Sequence, residues 1–524
     1  MSRFGCRTPV LFILGIWVVL TQGLYLYAAL QTHPSYVFGG FLLNPLDGNT
    51  YLSKMQQGWE GKWLFELTYS VERNRPAFLF VFYLLLGHLS RILGLKLLTV
   101  YHLTRLVAAL LLFVLLRKHF QWLFEREETV RVALAWVIFG GGMGWLAMAF
   151  GGFPPDLWVV EGYVFLSVLT NPHFPLAIAL MVWAATLSEV SLNHPLNFWG
   201  ALLCGIFLAN LSPFAFVLIL GALSFYLFFA FFWRHTGLRA EKLLLRVVGL
   251  GMGGLPFLLY QFWVVRQDAV LAGWNRQNVT PSPDAGSFLL GYFPLAVWAL
   301  VGAVRVGKKE AKFVLPLVWV LVSLILVYFP SPLQRRFMIG LYIPMVALAM
   351  LAYREVAGSH EKRLKGLPLS FWLNLSVGVS MVTNLILLFA AFNALQRRDP
   401  SLFLYREETE AFQWLRERLP RDGVVLAAPT SGNLIPAWTG LRVVYGHPFE
   451  TIHAAERKAQ VERFYRGEMS LEERESFLAA HSVDAVVWGV REREIATEEM
   501  EEYLERSFPV GYRSGQVTIY LVGR

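Results

Sequence analysis

Cysteine is almost missing from this sequence: Cys6 and Cys204 are the only two in 524 residues. One precedes the first apolar run and the other lies inside an apolar segment, which excludes a disulfide framework and a thiolate zinc site. Charge is scarce as well. Asp, Glu, Lys and Arg make up 16% of the chain, where soluble domains carry about 25%, so a row of water-solvated domains is excluded. Internal repeats and low-complexity tracts are lacking, and no nucleic-acid partner is expected. What is abundant is apolar: 56% hydrophobic residues, 15% aromatic and a mean hydropathy of +0.48. These values predict a polytopic α-helical membrane protein.

The scarce charge is unevenly spread. Residues 1 to 400 hold 31 Lys+Arg against 17 Asp+Glu, and residues 401 to 524 hold 15 against 20. The sequence therefore divides into a basic membrane module, 1–395, and an acidic soluble domain, 396–524. About 20 apolar residues span a bilayer, and residues 9 to 30 do so. That run is longer than the apolar stretch of a signal peptide and ends in no small-x-small site. Further apolar segments fall at about 98–116, 130–150, 172–190, 197–210, 213–233, 243–263, 287–304, 313–329, 338–353 and 369–392. Arg3 and Arg7 favour a cytoplasmic N-terminus. With alternating spans, the cytoplasmic segments then hold 18 Lys+Arg, while the short outer loops hold Arg266, Arg276, Arg335 and Arg336 alone. This asymmetry satisfies the positive-inside rule. It requires that the run 77–95 not cross, and Gly87, His88, Ser90 and Arg91 within it favour a helix lodged in the outer leaflet. The alternative makes 77–95 a span and turns the preceding loop to the cytoplasm. The expectation is about eleven spans plus that outer-leaflet helix, in the plasma membrane, with the C-terminal domain outside.

In the C-terminal segment, EETEAFQWLRERL has helical apolar spacing at Phe412, Leu415 and Leu419, and the short runs GVVLAAP, VDAVVWG and VTIYLV read as strands. Alternation of the two predicts a small extracytoplasmic α/β domain. It carries no Gly-rich phosphate loop and no paired catalytic motif. Its YGHPFET segment, 445 to 451, offers His447 and Glu450 as sugar ligands, although a turn with a structural histidine explains it more simply.

Polar groups gather at the predicted outer surface. The island FLLNPLDGNTYLSKMQQGWEGKWLFELTYSVERNRP, 41 to 76, puts Asp47 just past the first span. Asp-Gly-Asn is ordinary turn chemistry, so the company of Asp47 decides its reading. The loop FGGFPPDLWVVEGYVFLSVLTNPHF brings Asp156, Glu161, Asn171 and His173 to the same face, and FPSPLQRRF brings Arg335 and Arg336. Guanidinium forks hold phosphate oxygens bidentately, and a nearby carboxylate can take a proton from an attacking hydroxyl. His102 and Arg105 share a helix face and could line a lipid groove, or Arg105 could snorkel or cap a helix. Glu189 sits near a cytoplasmic end and receives no role. The glycines of FGGGMGWLAMAFGG, 139 to 152, suit close helix packing better than nucleotide binding.

Asp47-Gly-Asn-Thr-Tyr51, with Gly58-Trp59 further on, resembles the first extracytoplasmic loop of the GT-C membrane glycosyltransferases. This superfamily includes protein O-mannosyltransferases and the bacterial enzymes that move aminoarabinose to lipid A. Arg75-Pro76 followed by an apolar run and Gly94 is similar to their Lys-Pro-Pro…Phe-Gly segment. Thr104-Arg105-Leu106 is similar to their Ala-Arg-Leu, and Arg335-Arg336 through Pro344 to their Arg-Tyr…Pro helix. The resemblance runs in order over roughly residues 9 to 352. It implies a polyprenyl-phosphate sugar donor, an extracytoplasmic site and inversion at the anomeric carbon. It also implies Asp47 as general base, Arg335 or Arg336 on the lipid phosphate, and Tyr51, Arg75, Arg105, Asp156, Glu161, Asn171 and His173 around the substrates. The acceptor, a glycan, lipid or protein, is not specified. The chain departs from the family where Gly48 follows Asp47 in place of a second acid and where Arg75 replaces Lys, so no cofactor is assigned and a divalent metal is left open. Two other classes fit the composition: a transporter or flippase of a lipid-linked saccharide, and a catalytically silent scaffold. Transporters place ionisable groups at the midplane within repeated halves. Charge gathered at one face with no repeat favours the enzyme.

Overall fold

A computed structural model describes residues 8–31, 33–186, 194–232, 240–306, 312–357, 363–364 and 366–523. Arg3, Cys6, Arg7 and Glu189 lie outside the described residues. Among those described, six helices are long and apolar enough to cross a membrane: Thr8–Leu30, Leu97–Leu123, Glu127–Met148, Pro213–Phe231, Ala240–Gln267 and Leu369–Gln396. A seventh crossing is available if Ala285–Tyr292 and Leu295–Ala303, bent by 91° at their junction, count as one broken span. Shorter apolar helices include His173–Thr186, Val314–Tyr328 and Val81–Leu93. The last has 13 residues and rises about 20 Å at 1.5 Å per residue, short of a hydrocarbon core of about 30 Å. The chain is a multi-pass membrane protein.

The chain forms two compact units. The first comprises Met1–Leu26, His102–Tyr260 and Thr280–Asn393. Helices and short 3₁₀ turns fill it, and at its centre the buried rings of Tyr163, Tyr292 and Tyr342 lie with centroids 5.1 to 6.1 Å apart. The glycine-rich stretch after Phe139 leaves the helix at Gly140. There the backbone N–H groups of Gly142 and Gly144 turn to a side-chain carboxylate, and Gly142 also gives the close approach to a neighbouring helix that the sequence suggested, since a Cβ on it would lie 2.1 Å from the Gly291 carbonyl oxygen of helix Ala285–Tyr292.

The second unit comprises Tyr27–Tyr101, Gln261–Val279 and Ala394–Arg524. It holds a five-stranded sheet in the order Arg442–Val443, Val424–Leu426, Val483–Trp488, Val517–Leu521, Val510–Ser514. The first two pairings are parallel and the last two antiparallel. Strand residues alternate between two apolar layers: Val424, Leu426, Val486 and Trp488 on one face, Val425, Val443, Ala485 and Val487 on the other. Such alternation follows from the two-residue period of a strand. The same unit contains helix Pro45–Trp59, which packs against Val81–Leu93. The two backbones meet at glycines: a Cβ on Gly58 would lie 2.0 Å from the Leu84 carbonyl oxygen, and one on Gly87 2.0 Å from that of Met55. Larger residues there would force the helices apart. Arg442 ties the connecting loop to the sheet by donating to the carbonyl oxygens of Leu67, Ser70 and Glu72 at 2.7, 3.3 and 3.4 Å.

Candidate functional site

Asp47 is not in a turn. It lies in the first turn of helix Pro45–Trp59, behind the N-cap Asn44 and a proline at the first helical position. Proline there sacrifices no helical hydrogen bond, and a carboxylate in the first turn meets the positive end of the helix dipole. The Asn44 side chain accepts the Asp47 N–H at 3.3 Å and donates from Nδ2 to Oδ2 at 2.5 Å. On the other oxygen, Oδ1 faces Nε2 of His447 at 3.2 Å. The His447 side chain is 3% exposed and that of Asp47 42%, so the carboxylate is held from behind and open in front. Gly48 follows from packing: a Cβ there would sit 2.4 Å from the Phe41 ring. An acidic side chain at position 48 would therefore displace that ring.

Further along the same helix the sequence continues to meet the 429–451 region. Asn49 donates to Asn433 at 2.8 Å, and Asn433 donates to the Leu46 carbonyl at 3.2 Å. Lys54 is buried beneath Phe80, 4.4 Å from the ring centroid, and pairs with Glu450 at 2.8 Å. Tyr51 stacks on Tyr83 with centroids 4.6 Å apart. Arg75 is exposed; its backbone N–H donates to Asp268 at 2.8 Å. Tyr69 donates its hydroxyl hydrogen to the Asn433 carbonyl, and burial, then the Glu450 charge, push its pKa well up. His447, Glu450, Asn433 and Lys54 are the participants that sequence reasoning did not join to Asp47. YGHPFET was the one visible signal, and nothing in it names a partner 400 residues away.

The first unit contains a separate charged group. Glu161, on the 3₁₀ turn Val160–Gly162, faces Arg335 and Arg336 on the 3₁₀ turn Gln334–Met338, at 3.7 and 3.5 Å. Arg335 also lies over the Trp158 ring, 4.7 Å from its centroid. Three of the expected residues thus meet, with two guanidinium groups against one carboxylate. The rest are placed elsewhere. Asp156 is fully buried, and its Oδ2 accepts from the N–H groups of Gly142 and Gly144 and from Thr383 at 3.0, 2.9 and 2.8 Å. Burial pushes this carboxyl up, against the pull of those hydrogen bonds. Arg105 is fully buried over Tyr25 and donates to the carbonyls of Leu169, Val168 and Thr21 and to Gln22. Two of these carbonyls end the helix Val164–Thr170, where unsatisfied acceptors attract a cation. Asn171 caps that helix, and His173, packed on Phe174, begins the next.

No protein-family profile matches the sequence, and no curated protein matches it. Among solved structures, the archaeal oligosaccharyltransferase AglB from Archaeoglobus fulgidus, in complex with an inhibitory peptide and a dolichol-phosphate, is 14% identical with a TM-score of 0.53. That likeness covers 99% of this chain and 74% of the other. An Archaeoglobus fulgidus oligosaccharyltransferase tethered with an acceptor peptide gives 12% identity and a TM-score of 0.55 over 100% and 74%. ArnT from Cupriavidus metallidurans bound to undecaprenyl phosphate gives 12% and 0.51 over 97% of each chain. The chain therefore shares the fold of these solved structures.

Proposed function

We propose that this protein transfers a sugar from a polyprenyl-phosphate donor to an extracytoplasmic acceptor, with Asp47 as general base. The observation that carries the reading is the Asp47 carboxylate, held through both oxygens yet 42% exposed, in a chain sharing its fold with two enzymes captured with polyprenyl phosphates. The acceptor's oxygen attacks the anomeric carbon and its proton passes to Asp47. The bond from that carbon to the phosphate oxygen breaks, and its electron pair leaves with the lipid phosphate. Because phosphate is a competent leaving group, cationic stabilisation replaces a general acid. We assign it to Arg335 and Arg336, which face Glu161 at 3.7 and 3.5 Å and whose guanidinium forks match phosphate oxygens. Asp156 and Arg105 hold the loops of the same unit.

Among the described residues no three His, Cys, Asp or Glu side chains gather as a cation site. Eleven crossings, some by short helices, with the N-terminus inside and residues 396–524 forming an outer α/β domain, complete the proposal; the 18-to-4 charge asymmetry supports that orientation. The broken pair at 285–303 is the feature a lipid-linked saccharide transporter would use. Incubating the purified full-length protein with radiolabelled sugars on undecaprenyl and dolichyl phosphate, plus membrane extract as acceptor, tests both readings. Label leaving the carrier lipid supports transfer; lipid-linked label crossing liposomes intact supports transport and contradicts transfer.

A further inference from the structure

The bonds of His447 fix which ring nitrogen carries its hydrogen. Nδ1 lies 3.1 Å from the N–H of Phe449 and 3.2 Å from that of Glu450. Two donors aimed at one nitrogen require a lone pair there, so the ring hydrogen sits on Nε2. Nε2 in turn faces Asp47 Oδ1 at 3.2 Å, and the imidazole donates to the carboxylate. The ring itself is anchored. The backbone N–H groups of His447 and Gly446 both donate to Thr451 Oγ1 at 3.2 Å, Thr451 donates to the Tyr69 carbonyl at 2.7 Å, and the Tyr69 ring meets the imidazole edge to face at 6.1 Å. Three residues further on, Glu450 holds Lys54, two turns along the helix from Asp47.

A structural turn histidine needs the Nδ1 bonds alone. The Nε2 bond adds a contact to a carboxylate on another part of the chain, and that carboxylate is open to solvent, where a hydrogen bond stabilises the fold little. We infer that His447 is a positioning residue for Asp47: it neither takes nor relays the proton but orients the carboxylate so that its solvent-facing lone pairs meet the acceptor. This rests on the reading of Asp47 as base.

Two substitutions separate the two ends of the ring. His447→Asn places an acceptor near Nδ1 and keeps the turn while losing the donor to Asp47; His447→Gln places a donor near Nε2 and keeps that contact. With undecaprenyl-phosphate-linked sugar as donor, His447→Asn should lower kcat about 10- to 100-fold at unchanged KM, the effect of a misplaced reacting group, and His447→Gln should retain most of the rate. In an Asp47→Asn background, His447→Asn should cost nothing more. The reverse ranking, or full additivity with Asp47→Asn, would overturn the inference while leaving the base intact. Undiminished turnover in Asp47→Asn would overturn the base reading itself. Independently of turnover, nitrogen NMR of the histidine-labelled full chain should show the Nε2–H tautomer at His447; hydrogen on Nδ1 would contradict the proposal.

Discussion

Asp47 and the paired arginines divide the proposed chemistry at the residue scale, and each half fails in its own way. Arg335→Ala or Arg336→Ala should weaken binding of undecaprenyl phosphate about 10-fold or more, with lysine restoring it in part because a point charge lacks the guanidinium fork. Titration of the purified variants checks this; unchanged affinity in both would remove the pair from the lipid phosphate. Asp156 behaves as an internal bolt. In Asp156→Ala two N–H groups lose their acceptor, at about 1–3 kcal/mol for each left unpaired, so the melting temperature should drop well below that of Asp156→Asn. A stable Asp156→Ala that no longer transfers sugar would instead place this carboxylate in the chemistry. The sequence exposed Asp47, Glu161 and the arginines because they are charged groups beside long apolar runs. It could not tell which carboxylates are buried, because burial of Asp156 depends on glycines that release their amides twelve and fourteen residues away.

Among elements, helix Pro45–Trp59 depends most on chain remote in sequence. Lys54 and Glu450 form a pair with side chains 2% and 11% exposed. Glu450→Ala should cost about 3–5 kcal/mol, since it strands a buried ammonium, whereas replacing both by apolar residues should be far milder; denaturant titration of the two variants distinguishes these outcomes. The loop after the helix has a pH-sensitive tie. Glu72 pairs with Arg457 at 2.9 Å. Burial raises its pKa, but hydrogen bonds from Ser70 and Arg457 outweigh that and leave it below its ordinary value. A depressed folded-state pKa means the tie contributes fully above the ordinary value of 4.5 and is lost as pH falls through the lowered one. Hydrogen exchange at residues 67–74 should therefore quicken, relative to a Glu72→Gln control, as the pH drops below about 4.5; equal acid response in both would refute the tie. That this segment is a helix is not legible in sequence, where Asp-Gly-Asn suggests a turn, because the partners that bury its polar face are supplied by residues 429–451.

For the whole molecule, apolar length and hydropathy made the membrane character legible, and alternation of short apolar runs with acidic helical stretches marked the strands near 424, 483 and 517. The association of residues 27–101 with 394–524 left no local trace, since no periodicity encodes contacts between segments hundreds of residues apart. Orientation is tested by single cysteines at exposed positions in a Cys6→Ser background. Arg73→Cys and Ser401→Cys should react with a membrane-impermeant thiol reagent in intact cells, and Glu125→Cys only after permeabilisation; protection of 73 with labelling of 401 would mean that 77–95 crosses. The central claim is that Asp47 removes the acceptor's proton. Its most direct measurement is single-turnover transfer by Asp47→Asn under saturating polyprenyl-phosphate sugar, alongside the donor affinity of the same preparation. The account predicts unchanged donor affinity with transfer slowed at least about 100-fold, the usual loss on removing a general base. Transfer at the wild-type rate by a folded, donor-binding Asp47→Asn would contradict it.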